Sequence, residues 1–147
     1  MLRPFEKVDL PYLISLERLT QAAPWPEDVF ARCLEAGSVA WILEVDQRVI
    51  GFIFILERAG EAHILNLCVH PDFQQRGYGF QLLTHVLHGL EHNKVSFVYL
   101  EVRRSNESAI NLYKKMGFYK IGERKNYYVH GDHQEDALVF AKHFTKA

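Results

Sequence analysis

At 147 residues the chain is sized for one domain, residues 1–147, with a single core; 48% hydrophobic against 24% charged residues excludes a disordered chain. A formal net charge of −1 gives no bulk positive field for general nucleic-acid binding, so direct nucleic-acid contact is not expected. Two cysteines in apolar segments, Cys33 and Cys68, read as reduced core thiols; without a membrane-length apolar run or a signal-peptide pattern, a cytoplasmic protein with no membrane contact is expected.

Arg3 to Lys7 reads as a short first strand, with Pro4 tolerable near its start. Asp9 is placed to cap a helix running to about Gln21 on Leu10, Leu13, Ile14 and Leu16. Pro24-Trp25-Pro26 breaks it, and Pro26 suits the first position of a second helix whose positive end takes Glu27 and Asp28. From Ser38 to Arg58 the period changes to that of a hairpin: Val39–Val45 and Val49–Ile55 flank a polar turn at Asp46-Gln47-Arg48. His63–Val69 is a third central strand, stopped by Pro71.

After a glycine-bearing turn, Phe80 to about His92 carries one helical stripe of Leu82, Leu83, Val86, Leu87 and Leu90. His85, His88 and His92 fall opposite that stripe, on a solvated face, and no metal site is expected from them or from His130 and His133. Val95 to Arg103 returns to strand chemistry, and Asn106 to Met116 is helical with Gly117 as its stop. Phe118–Arg124 and Ala137–Phe144 are two further strands separated by a polar loop. This alternation implies an α/β layer structure around a mixed sheet.

The segment His63–His92 reads strand, glycine turn, helix. Gly77 and Gly79 let backbone approach a ligand, and the amides at the following helix start suit a pyrophosphate, with Arg76 adding a charge. A dinucleotide fingerprint would continue to a third glycine or alanine, where Leu82 stands, and a nucleotide-triphosphate loop would end in Gly-Lys-Ser/Thr, which is absent. The turn therefore serves phosphate in another fold or is a plain connection. Along Phe97–Arg103, alternation puts Phe97, Tyr99, Glu101 and Arg103 on one face, so Glu101 lines a cleft or pairs with Arg103 or Arg104. Tyr113, protonated at neutral pH, is either a proton donor or a core aromatic.

Gln74-x-x-Gly77-x-Gly79 before a leucine-rich helix resembles motif A of the GCN5-related N-acetyltransferases. Asn106-Glu107-Ser108-Ala109-Ile110-Asn111-Leu112-Tyr113-Lys114-Lys115-Met116-Gly117-Phe118 resembles their N-x-x-A-x-x-L-Y-x-x-x-G-F motif at every fixed position. Leu100-Glu101-Val102-Arg103, Pro24-Trp25 and the stretch from Asn126-Tyr127-Tyr128 to Glu135-Asp136-Ala137 are similar to the RimI-type ribosomal-protein N-terminal-alanine acetyltransferases. Phe80 and His70 depart from the residues expected at their positions.

The resemblance implies a mixed, mostly antiparallel sheet with splayed central parallel strands and flanking helices. It implies acetyl-CoA as cosubstrate, held by Leu67, Cys68 and Val69 of the strand, by Gln74, Gln75, Arg76, Gly77, Tyr78, Gly79 and Phe80 of the turn, and by Asn106; the Val69 amide would face the thioester oxygen. Glu101 would be the base and Tyr113 the acid, with Trp25, Tyr127 and Tyr128 flanking a peptide entrance. Transfer would be direct, in a ternary complex, because Cys68 has no activating partner in the sequence. The acceptor implied is the N-terminal alanine of a small-subunit ribosomal protein; a small-amine acetyltransferase and a non-catalytic acyl-CoA sensor are the rival readings. At pH 7 roughly a tenth of α-amines are neutral but well under a thousandth of lysines, so one carboxylate base suffices for an N-terminal acceptor.

Overall fold

Seven strands in the order β1-β2-β3-β4-β5-β7-β6 form one sheet, described over residues 1–144 in a computed structural model. In chain order the elements are β1 (Leu2–Pro4), α1 (Leu10–Thr20), α2 (Glu27–Glu35), β2 (Val39–Val45), β3 (Arg48–Arg58), β4 (Glu61–Val69), α3 (Tyr78–His92), β5 (Phe97–Arg103), α4 (Glu107–Lys115), β6 (Tyr119–His130) and β7 (His133–His143). Every neighbouring pair is antiparallel except β4 and β5.

β3 shows why the fold has two cores. Its run Phe52-Ile53-Phe54-Ile55 is apolar at every position because both faces are covered. Phe52 and Phe54 meet Leu13 and Leu16 of α1 and Phe30 of α2, whereas Ile53 and Ile55 meet the stripe of α3. Gly51 precedes that run because a Cβ there would stand 3.0 Å from the Cys68 carbonyl oxygen and 3.2 Å from the Leu82 side chain.

The parallel pair is short. β4 and β5 pair from Glu61↔Phe97 to Ile64↔Leu100 and no further, so Leu65–Val69 and Glu101–Arg103 diverge. On its other edge β4 carries a bulge: Phe54 faces Asn66 and Ile55 faces Ile64, leaving Leu65 unmatched. The result is the mixed, mostly antiparallel sheet with splayed central parallel strands that the sequence resemblance implies.

Several local expectations need correction. β1 spans only Leu2–Pro4, and Lys7–Asp9 forms a 3-10 turn. The Asp9 carboxylate does not cap α1; it accepts from the Glu6 amide (2.7 Å) and from both terminal nitrogens of Arg3 (2.7 and 2.8 Å). Pro26 precedes α2 as its N-cap rather than opening it. The β2–β3 turn is the two residues Asp46-Gln47, both at positive φ, which matches the twist of a tight hairpin. The largest difference lies near the end. Residues 125–136, read as a polar loop, belong mostly to a long β6–β7 ribbon.

Candidate active site

The gap between the splayed halves of β4 and β5 opens on both sides into a cavity. The first, about 350 Å³, is walled by Glu17, Trp25, Asn66, Glu101, Arg103, Tyr127 and Tyr128, among others. The second, about 620 Å³, runs over Val69, Gln74, Gln75, Gly77, Tyr78, Gly79 and Phe80 and along the facing side of α4. Leu67, Asn106 and Tyr113 border both, so the two spaces meet there.

The groove of the second cavity is built by α3 and the end of β4. Gly77 is the N-cap of α3 at φ +85°, a left-handed conformation that favours glycine. Tyr78, Gly79 and Phe80 head a 15-residue helix, so their amides belong to the first turn and lack intrahelical acceptors. The helix starts two residues earlier than the leucine stripe alone indicates. Gln74 donates to the Val69 carbonyl (2.9 Å) and Gln75 to the Ser108 hydroxyl (3.1 Å), which ties the turn to β4 and to α4. Asn106 spends its side-chain oxygen on the Ala109 amide at the head of α4 (3.1 Å). Phe80 is half-exposed beside Lys115.

Two expected groove residues stand apart from it. Arg76 lies over the Phe73 ring at 5.5 Å and lines neither cavity. Cys68 is buried in the α1 layer, its sulfur 2.9 Å from the Thr20 hydroxyl, and burial pushes its thiol pKa up to about 12. Alternation puts it on the opposite face from Leu67 and Val69.

Backbone direction completes the gap. The His70 amide donates to the Ile50 carbonyl (2.7 Å), so by antiparallel alternation Cys68 bonds to β3 while Leu67 and Val69 point their amides away from it. β5 has already left the ladder at Ile64, and these amides face the gap.

In the first cavity Glu101 is not paired with a neighbouring arginine. Arg103 bonds Glu135 (3.3 Å) and lies over the Tyr128 ring (4.3 Å), and Arg104 bonds Glu123. Glu101 instead meets His63 Nε2 of β4 through Oε1 at 2.7 Å, while its buried Oε2 has no hydrogen-bond partner among the described residues. Tyr113 is buried against Phe118, and burial alone pushes its phenol pKa above the ordinary value. Tyr127 reaches the cavity through a bulge: between Arg124↔Ala137 and Tyr128↔Glu135, three residues of β6 face one of β7. Asn126 takes a positive φ there, its amide held by the Asp136 carboxylate (2.9 Å). Burial first, then the Glu101 carboxylate, raises the Tyr127 phenol; burial raises that of Tyr128.

Trp25 packs edge-on against Phe30 and Phe54, and its amide donates to Glu17 (3.0 Å). Glu17 also accepts from Asn66 (2.9 Å) and is 2% exposed; burial raises its carboxyl pKa. Glu17, Asn66 and His63 were not singled out from the sequence. Glu17 carried a signal, a carboxylate three and four residues beyond Ile14 and Leu13 on the inward face of α1. His63 carried none, since only the β4–β5 register brings it beside Glu101.

The model of the acetyltransferase (GNAT) family matches residues 8–118. The chain is 36% identical over 136 residues to the ribosomal protein bS18-alanine N-acetyltransferase of Escherichia coli strain K12, covering 92% of each. It is 38% identical over 133 residues to the protein of that name from Salmonella typhimurium, covering 90% of each. The crystal structure of the Escherichia coli ribosomal-protein-S18-alanine N-acetyltransferase superposes with a TM-score of 0.92 at 34% identity, covering 100% of this chain and 95% of that one.

Proposed function

This chain belongs to the acetyltransferase (GNAT) family and is an N-acetyltransferase; we propose that it takes acetyl from acetyl-CoA and that its acceptor is the N-terminal alanine of ribosomal protein bS18, the substrate named for its relatives. The observation that carries this reading is the meeting of two cavities at Tyr113, one suited to a pyrophosphate-bearing thioester and one to an amine.

The second cavity fits acetyl-CoA. It has the unbonded amides of the first turn of α3, and Gly77 lets backbone approach; a Cβ on Gly79 would sit 3.5 Å from the Leu112 side chain of α4. Bound there, acetyl-CoA supplies the activated acetyl group. The unpaired strand amides of Leu67 and Val69 supply donors for a developing oxyanion, and Val69 is the one we assign to it.

The first cavity suits a cationic amine, because it holds two buried carboxylates, Glu17 and Glu101. Glu101 Oε2 takes the proton from the amine as the new C–N bond forms, and the Tyr113 phenol donates to the departing sulfur. Trp25, Tyr127 and Tyr128 shield the reacting atoms from water and border the peptide's path. Cys68, buried and protonated, forms no acyl-enzyme, so transfer is direct.

The test is turnover of purified protein with acetyl-CoA on peptides that begin with the bS18 sequence, on peptides with other first residues, and on polyamines. Mass spectrometry should find one acetyl group on the α-amine of the alanine peptide. Preference for polyamines overturns the acceptor assignment, and CoA binding with no acetylation of any acceptor overturns the catalytic one.

A further inference from the structure

We propose that His63 is a positioning residue that holds the Glu101 carboxylate with a single oxygen free for the acceptor. The proposal rests on the reading of Glu101 as the base.

Three observations carry it. First, the two oxygens of Glu101 are unlike: Oε1 accepts from His63 Nε2 at 2.7 Å, and Oε2, beside the first cavity, is buried with no hydrogen-bond partner among the described residues. A carboxylate's last torsion is soft and nearly two-fold, so with neither oxygen held it would present a broad range of orientations. One N–H on Oε1, from the neutral imidazole or the imidazolium, removes that freedom and aims Oε2.

Second, Glu101 is held by the sheet on one edge only, where it pairs with Val139 of β7. The β4–β5 ladder ends at Ile64↔Leu100, so Glu101 is the first residue of β5 with no backbone partner on β4. His63 replaces that lost contact with a side-chain bond across the start of the splay.

Third, the imidazole is itself fixed. It stacks on Tyr99 at 4.2 Å with the planes 15° apart; Tyr99 stacks on Phe97, and Phe97 meets His143. Tyr99 is the register partner of His63, so the clamp follows from the strand pairing. A ring held this way delivers its N–H without losing much freedom on bonding, which is how a positioning group contributes to rate.

The experiment is a kinetic cycle on the full chain with acetyl-CoA and an alanine-first peptide. His63→Leu should lower kcat about tenfold, with KM for both substrates within about twofold. His63→Gln, which returns an N–H at similar reach, should recover kcat to within about threefold of wild type. In a Glu101→Gln background His63→Leu should cost nothing further, since there is no base left to position. Melting temperatures of all variants are read alongside, and His63→Val takes the place of His63→Leu if the latter does not fold.

A His63→Leu variant at wild-type kcat, with Glu101→Gln impaired, overturns the role of His63 and leaves the base assignment standing. A loss that persists in the Glu101→Gln background, or that Gln does not relieve, also overturns it and makes the contact structural. Wild-type turnover by Glu101→Gln alone overturns the base assignment and this proposal with it.

Discussion

Replacing Tyr113 by Phe separates chemistry from packing more cleanly than any other change at this site. Burial is the only cause of the raised Tyr113 phenol pKa, with no hydrogen-bond partner contributing. Removing the hydroxyl therefore strands no donor or acceptor, and the ring keeps its contact with Phe118. The fold should lose no more than about 0.5 kcal/mol, which for a chain of this size moves the melting temperature by about 2 °C or less. The kinetic cost is set by acidities. A thiol leaves with a pKa of about 8.5, and a tyrosine starts at about 10 before burial raises it further. Full proton transfer from phenol to thiolate is thus uphill, and the hydroxyl acts mainly by donating a hydrogen bond to the sulfur as charge builds. That holds the loss at or below the low end of general-acid effects, about 10- to 100-fold in kcat, or about 1.4–2.7 kcal/mol. Steady-state turnover with acetyl-CoA and an alanine-first peptide gives kcat, and calorimetric titration with CoA gives affinity. Turnover within twofold of wild type refutes the acid role; a loss matched by an equal fall in CoA affinity assigns Tyr113 to packing instead.

Cys68→Ala should keep kcat within about twofold, because a thiol pushed up to about 12 is almost wholly protonated at neutral pH, at a stability cost of about 1 kcal/mol for the small cavity; loss of turnover in a folded protein would reopen an acyl-enzyme route. Gly51→Ala should lower the melting temperature by about 3–10 °C, since its Cβ would press on the Cys68 carbonyl and on Leu82, and should raise KM for acetyl-CoA, because Val69 lies 3.6 Å from the same point. Asp9→Asn should destabilise the fold by about 2 kcal/mol at pH 7, by weakening the bonds from Arg3. The Arg3 hydrogen bond holds the Asp9 carboxyl below its ordinary range. Its contribution is therefore complete above the unfolded value of about 4 and is lost as pH falls through the lower folded value, so the melting-temperature gap between wild type and variant should close in acid and not in base.

How far the sequence reaches depends on whether a feature is local. The turn at Gly77 and the Asn106–Phe118 motif are legible because their work is done within one turn or one helix: a left-handed N-cap, a row of helix-start amides, an Asn side chain on the amide three residues ahead. The face shared by Phe97, Tyr99, Glu101 and Arg103 is legible for the same reason, since alternation needs no partner, and the partly exposed, buried, partly exposed pattern of β5 follows it residue by residue. The β6–β7 ribbon is not. Lys125, Asn126, Gly131 and Asp132 have the composition of a loop because one edge of the ribbon is open to solvent, and the bulge at residues 125–127 breaks the alternation that would mark a strand.

The same distinction explains why the sequence leaves Glu101 between two readings, a cleft residue or an ion pair with Arg103 or Arg104, and why the difference matters. Within the sequence its nearest cations are Arg103 and Arg104, two and three residues away, and a carboxylate bonded to either would be a poor base, its lone pairs occupied and its basicity lowered. The fold sends both arginines elsewhere. Arg103 goes to Glu135 and the Tyr128 ring, and Arg104 to Glu123, so the β6–β7 ribbon removes the competing charges from β5. What remains beside Glu101 is a histidine from the other side of the splay, which occupies one oxygen, and the Tyr127 phenol, whose pKa the carboxylate helps to raise; the second oxygen has no hydrogen-bond partner among the described residues. A ribbon that reads as a solvated loop thus has a chemical consequence. Replacing Glu135 and Glu123 by Gln would leave the Arg103 and Arg104 guanidinium groups without these carboxylates while keeping the ribbon and its tyrosines, and the expected result is a lower kcat with an alanine-first peptide even though no residue lining the second cavity has changed.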